Sequence, residues 1–209
     1  MNTAPMKQVT PLRAKQLDAV REISNIGAGH AATALSKMVD ARVMISVPRV
    51  ALSSAREMSP LVAGSEEPVV CVELRLIGDI TGWTLLVFPM ADALRLVELL
   101  LKRPASPELG KLEQSAIQEV GNILSSAYVS ALGTFLGMVV IPMPPKLSVD
   151  PSASVIAAAY LQFGSEDDIV FRIESEFLLE GSAEPLRGFF LLIPDLHSMP
   201  AILRGARLQ

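Results

Sequence analysis

The sequence predicts a mixed α/β (α+β) fold built by internal duplication, with about six strands and two long helices. Three observations carry this. A segment recurs without a gap at an offset of 97 residues: Glu22 matches Glu119, Asn25 matches Asn122, Pro48 matches Pro145, and Ala34-Leu35 matches Ala131-Leu132. Downstream, GWTLLVFP at Gly82 to Pro89 resembles GFFLLIP at Gly188 to Pro194, with an offset of 106 at the glycine. Finally, half of the 209 residues are hydrophobic and 19% are charged, which is enough apolar surface for a real core and too little charge for a disordered chain.

Each copy reads as the same string of elements. A long helix opens it, over about 12–38 and 109–136, with apolar residues at helical spacing. A strand follows at about 41–47 and 138–144, then a proline-bounded turn into a short helix at about 53–63 and 151–161. Two strands come next, 68–77 and 81–88 in the first copy and 168–179 and 186–193 in the second. VVCVELRL and DIVFRIESEFLL show the mixed alternation of sheet strands with one face covered. A terminal helix closes each copy, from Ala91 and from Leu196. Arg103-Pro104-Ala105-Ser106-Pro107 is a linker signal, so the expected organisation is a single domain, 1–209, of two pseudo-repeats, about 12–102 and 109–205.

Several classes are disfavoured. A net charge of −4 leaves no basic surplus for phosphate backbones, so no nucleic acid is expected as a partner. Val120 to Pro145 is uncharged and long enough to cross a bilayer, but the matching stretch of the first copy carries Lys37, Asp40 and Arg42, so no membrane span is expected. The first residues lack the apolar core of a signal peptide, and a lone Cys71 fits a reducing compartment; a cytoplasmic location follows as the expectation. His30 and His197 have no ligand-spaced neighbours, so no metal site is expected. Cys71 lies in an apolar strand and reads as a core thiol.

On a helical wheel, Val20, Ile23, Ala31, Ala34 and Met38 form one stripe of the first helix, with Asp18, Glu22, Asn25 and Gly29 roughly opposite. In the second, Ile117, Val120, Leu124, Tyr128, Ala131 and Phe135 are apolar, and Ser115, Glu119, Asn122 and Ser126 face away. A single E-x-x-N in a helix is an ordinary solvated face. Two at one offset are not, because the neighbours diverged (Gly27 to Leu124, His30 to Ala127, Lys37 to Thr134) while two exposed polar residues stayed, and asparagine has no helix-propensity reason to stay. Gly27 and Gly29 are expected to admit another backbone closely.

At these residues, E-I-S-N-I-G-A-G-H-A-A-T-A-L-S and E-V-G-N-I-L-S-S-A-Y-V-S-A-L, the sequence resembles the two signature helices of the CheC-type chemotaxis phosphatases. That pattern is Asp or Ser, three residues, Glu, two residues, Asn, about 22 residues, then Pro. Asp18, Glu22, Asn25 and Pro48 fit it, and so do Ser115, Glu119, Asn122 and Pro144 or Pro145. Two intact copies set the chain apart from the shorter one-site CheX type, and the added flagellar-switch domain of the FliY type is not expected.

The resemblance implies a CheC-like fold and hydrolysis of the aspartyl phosphate on a response regulator, phosphorylated CheY. It implies that Asn25 and Asn122 orient the attacking water, that Glu22 and Glu119 pair with the regulator's lysine, and that Asp18 and Ser115 support docking. Mg²⁺ would sit on the regulator, with no cofactor of the chain's own. A monomer is expected. A further implied partner is the CheD receptor deamidase, touching Asp150 in P-P-K-L-S-V-D, although Pro151 departs from the family's residue there. From the residues alone, Asp150 reads instead as the N-cap of a helix whose first residue is Pro151. The rival reading of the whole chain is a non-catalytic adaptor for CheY or CheD, related to flagellar switch proteins.

Overall fold

The computed structural model describes residues 14–46, 48–54, 64, 66–163, 169–179, 184–195 and 198–205. The first copy supplies helix α1 (Ala14–Val39), strands β1 (Val43–Ile45), β2 (Arg49–Ser54), β3 (Pro68–Gly78) and β4 (Gly82–Pro89), and helix α2 (Met90–Leu101). The second supplies α3 (Lys111–Leu136), β5 (Val140–Pro142), β6 (Lys146–Pro151), α4 (Ser152–Phe163), β7 (Ile169–Leu179), β8 (Leu186–Pro194) and α5 (Ser198–Gly205). The offset of 97 holds at both ends of α1 and α3, of β1 and β5, and of β2 and β6.

All strands join one antiparallel sheet in the order β1-β7-β8-β4-β3-β5, with β2 also on β7 and β6 also on β3. Six strands are expected from the sequence and eight segments are found, because each edge strand is broken in two. Val43 pairs with Leu179 and Arg49 with Glu174, so the register slips by one residue between β1 and β2, at Pro48. The same slip separates β5 from β6 at Pro144-Pro145. A proline cannot donate to a ladder, and an edge strand with a bulge is where its missing N–H costs least.

The edges are exchanged between the copies. β1 and β2 of the first copy pair with β7 of the second, and β5 and β6 of the second pair with β3 of the first. The middle of the sheet is the β4–β8 pair. These two strands begin at 82 and 186, so they correspond at an offset of 104, not the 106 that the glycine match indicates. A two-residue slip leaves every side chain on its original face, which is why the sequence match could not detect it.

Helices α1 and α3 pack on each other and on one face of the sheet, over Val70, Val72, Leu74, Leu86, Phe88 and Phe190. Helix α4 covers the other face with Val155, Ile156 and Ala159, over Val69, Cys71, Val87 and Leu191. Both faces of β3 are therefore dry along Val69–Val72, and VVCV reads as a continuous apolar run for that reason.

Gly27 lies against Tyr128 where α1 meets α3: a Cβ there would come within 2.5 Å of the ring and 3.1 Å of the Tyr128 Cα. Tyr128 is held in turn by stacking on Phe190, with centroids 4.7 Å apart, and by a 3.1 Å hydrogen bond with Ser175. The close approach expected at Gly27 is thus present. At Gly29 it is not, because a Cβ there would meet nothing within 4 Å.

The expected helix at 53–63 falls on residues outside the described ones except Ser53 and Ser54, which end β2. The expected cap at Asp150 is overturned. Asp150 and Pro151 are the last residues of β6, paired with Val69 and Pro68, and α4 begins at Ser152, whose N–H donates to the Glu67 carbonyl. Strand pairing with β3 takes the backbone that the Asp-Pro cap would have used. No helix among the described residues is long and apolar enough to cross a membrane; the uncharged Val120–Pro145 stretch is the end of α3, then β5 and a turn.

Candidate functional site

Helices α1 and α3 each bury one stripe and expose another. On α1, Ile23, Ala28, Ala31 and Leu35 are buried, while Asp18, Glu22, Asn25 and Gly29 are exposed. On α3, Ile117, Val120, Leu124 and Tyr128 are buried, Ser115 and Glu119 exposed, and Asn122 and Ser126 half-buried. The Glu and Asn of each pair lie one helical turn apart on the open flank. None of these four side chains has a hydrogen-bond or ion-pair partner among the described residues. The upstream residues differ: Asp18 pairs with Arg21 at 3.3 Å, whereas the Ser115 hydroxyl donates to the Lys111 carbonyl at 2.9 Å.

The downstream proline of each pattern lies at the break in an edge strand. Gln118 Nε2, beside Glu119, donates to the Pro145 carbonyl at 3.4 Å and ties that turn to α3. Pro145, rather than the exposed Pro144, is therefore the counterpart of the buried Pro48. Sequence reading missed Gln118; its place next to Glu119 was the available signal. It also missed Ile26, an exposed apolar residue directly after Asn25.

The base of α3 is fixed electrostatically. Glu113 is buried and accepts from Arg103 Nη2 at 2.7 Å, which ties the linker to the helix. A hydrogen bond from its own backbone N–H holds the Glu113 carboxyl below the usual carboxylate range; burial opposes this and Arg103 adds to it. Cys71 is buried, and desolvation drives its thiol pKa far up, which removes it as a nucleophile. Among the described residues no three or more His, Cys, Asp or Glu side chains are grouped to hold a metal ion. Asp150 is exposed on β6, and among the described residues no hydrogen bond or ion pair joins it to either Glu–Asn pair.

A family model described as the CheC-like family matches residues 16–52 and 112–149, which are α1 and α3 with the broken edge strands that follow them. The CheY-P phosphatase CheC of Bacillus subtilis (strain 168) is 27% identical over 191 residues, covering 90% of this chain and 91% of that protein. The flagellar motor switch phosphatase FliY of the same organism is 29% identical over 145 residues, 68% of this chain and 38% of that protein. The crystal structure of Thermotoga maritima FliY superposes with a TM-score of 0.76 at 19% identity, covering 94% of this chain and 98% of that one, so the fold is shared. Both signature segments thus match the CheC-like family model, and the chain is similar to the CheC phosphatase of Bacillus subtilis over nearly the full length of each.

Proposed function

We propose that this protein is a phosphatase for the aspartyl phosphate of a response regulator, phosphorylated CheY, working from two sites, Glu22–Asn25 and Glu119–Asn122. The observation that carries the reading is the duplicated Glu–Asn pair at equivalent positions on the open flanks of two helices, with no hydrogen-bond or ion-pair partner among the described residues that would explain either residue. The relative named a CheY-P phosphatase supports it.

An acyl phosphate is already labile, so positioning supplies much of the gain. The carboxamide of Asn25 or Asn122 can accept from a water and donate to it at once, which fixes the water in line with the phosphorus. The water oxygen bonds to phosphorus, the bond from phosphorus to the aspartyl oxygen breaks, and inorganic phosphate and a free carboxylate leave. The water's proton goes to the phosphate. Glu22 and Glu119 pair with the regulator's lysine and set its orientation. Mg²⁺ belongs to the substrate, carried in the regulator's acidic site.

The test is a phosphate-release time course with phosphorylated CheY and Mg²⁺, with and without the protein and its Asn25→Ala/Asn122→Ala double variant. Acceleration by the native chain and none by the double variant is expected. Both substitutions are on exposed or half-buried positions, so stability should change by less than about 0.5 kcal/mol. Tight binding with no acceleration by the native chain would replace this reading with the adaptor.

A further inference from the structure

We infer that Gly29 is a specificity-determining position of the first site: it keeps the surface beside Asn25 flat so that the docked regulator can lie against the α1 backbone. This rests on the phosphatase reading above.

Four glycines lie inside α1 and α3. Gly27 makes room for Tyr128, Gly121 for Val72, and Gly133 for the Met138 carbonyl, each with a Cβ position less than 3.0 Å from another atom. Gly29 has no such neighbour and keeps ordinary helical backbone angles. Neither packing against the described residues nor a positive φ requires glycine there, and in a helix interior glycine is the costly choice. The cause we infer is a partner surface outside the chain.

The surroundings say what kind of surface is kept. Gly29 is one turn beyond Asn25 on the same exposed stripe, so a partner that covers Glu22 and Asn25 covers Gly29 as well. Ile26, three residues before it, is 39% exposed and offers an apolar contact. Thr33, four residues after it, turns its hydroxyl back to the Gly29 carbonyl at 2.9 Å and so presents little polarity outward. The result is a flat, weakly polar step between Ile26 and Thr33, next to the amide that orients the water. It suits a packed face of a folded regulator domain better than a flexible peptide, which could bend around a side chain.

The second site differs at this point, with Ser126 in place of Gly29, so the first site must be read alone. The experiment uses the Asn122→Ala chain as parent, with Gly29→Ala and Gly29→Leu added to it, and phosphorylated CheY with Mg²⁺ as substrate. Alanine and leucine are both better helix formers than glycine, so thermal unfolding should not move down. KM is expected to rise with side-chain size, about tenfold or more for leucine, with kcat within about twofold. An unchanged KM for Gly29→Leu with an active parent overturns this inference and leaves the phosphatase reading intact. An inactive native chain overturns both, and a fall in kcat alone assigns Gly29 to positioning Asn25 and overturns the docking role.

Discussion

Replacing Gly27 and Gly29 separately by alanine should change stability in opposite directions, although the substitutions are two residues apart on one helix. Both gain the helix preference of alanine over glycine, about 0.5–1 kcal/mol. At Gly29 nothing opposes that gain, so Gly29→Ala should be more stable by about that amount. At Gly27 the new methyl meets the Tyr128 ring at 2.5 Å. The ring cannot swing aside cheaply, because it is 3% exposed, stacks on Phe190 and shares a hydrogen bond with Ser175. Overpacking of this kind costs about 1–3 kcal/mol, and toward about 2–3 kcal/mol where the ring is pinned on two sides, so the net effect is a loss of about 1–2.5 kcal/mol. The two variants should then differ by about 2–3 kcal/mol, or several degrees in Tm at about 2–4 °C per kcal/mol for a chain of this size. Urea titrations followed by the fluorescence of the chain's one tryptophan, Trp83, measure this directly. A Gly27→Ala chain as stable as the Gly29→Ala chain would mean that the α1–α3 contact is looser than described and would refute the reasoning.

Four further outcomes are expected. Glu22→Gln/Glu119→Gln should raise KM for phosphorylated CheY more than it lowers kcat and should flatten the salt dependence of association, measured by kinetics across ionic strength. Asn122→Ala should reduce the rate more than Asn25→Ala, since Asn122 is half-buried beside the tied Pro145 turn while Asn25 is exposed; single-variant rates at one substrate concentration decide it. Glu113 has a lowered folded pKa, so its stabilising share is present above the unfolded carboxylate pKa of about 4.3 and is lost as pH falls through the folded value; Glu113→Gln should flatten the acid limb of a pH–stability curve below about pH 4. Cys71 should resist a thiol reagent in the native state and react at the rate of global unfolding, read by mass spectrometry across a denaturant series.

The two long helices were legible from the sequence almost to the residue because a gapless repeat and a helical apolar period agree over the same stretch. The exposed stripes that carry Glu22–Asn25 and Glu119–Asn122 followed from the same wheel. β2 and β6 were not legible. RVALSS and KLSVDP have little alternation, and what makes them strands is a ladder to a partner more than 70 residues away in sequence, across a bulge that local propensity does not encode. Asp150-Pro151 shows the same limit: a sound local cap signal lost to pairing with β3. The Gln118–Pro145 link and the emptiness around Gly29 depend on where distant segments end up, so only the structure displays them.

The exchanged edges also set a timetable for biosynthesis. Ser54 pairs with Ile169, so β2 leaves the ribosome 115 residues before its partner exists. At about 5–20 residues per second that is a wait of roughly 6–23 s. During it, the apolar side of α1 and the unpaired β1–β2 edge have nowhere native to go, which is the condition that recruits holdase chaperones and favours aggregation of stalled or truncated chains. The N-terminal half is therefore an obligate passenger until the last third of the chain has been made.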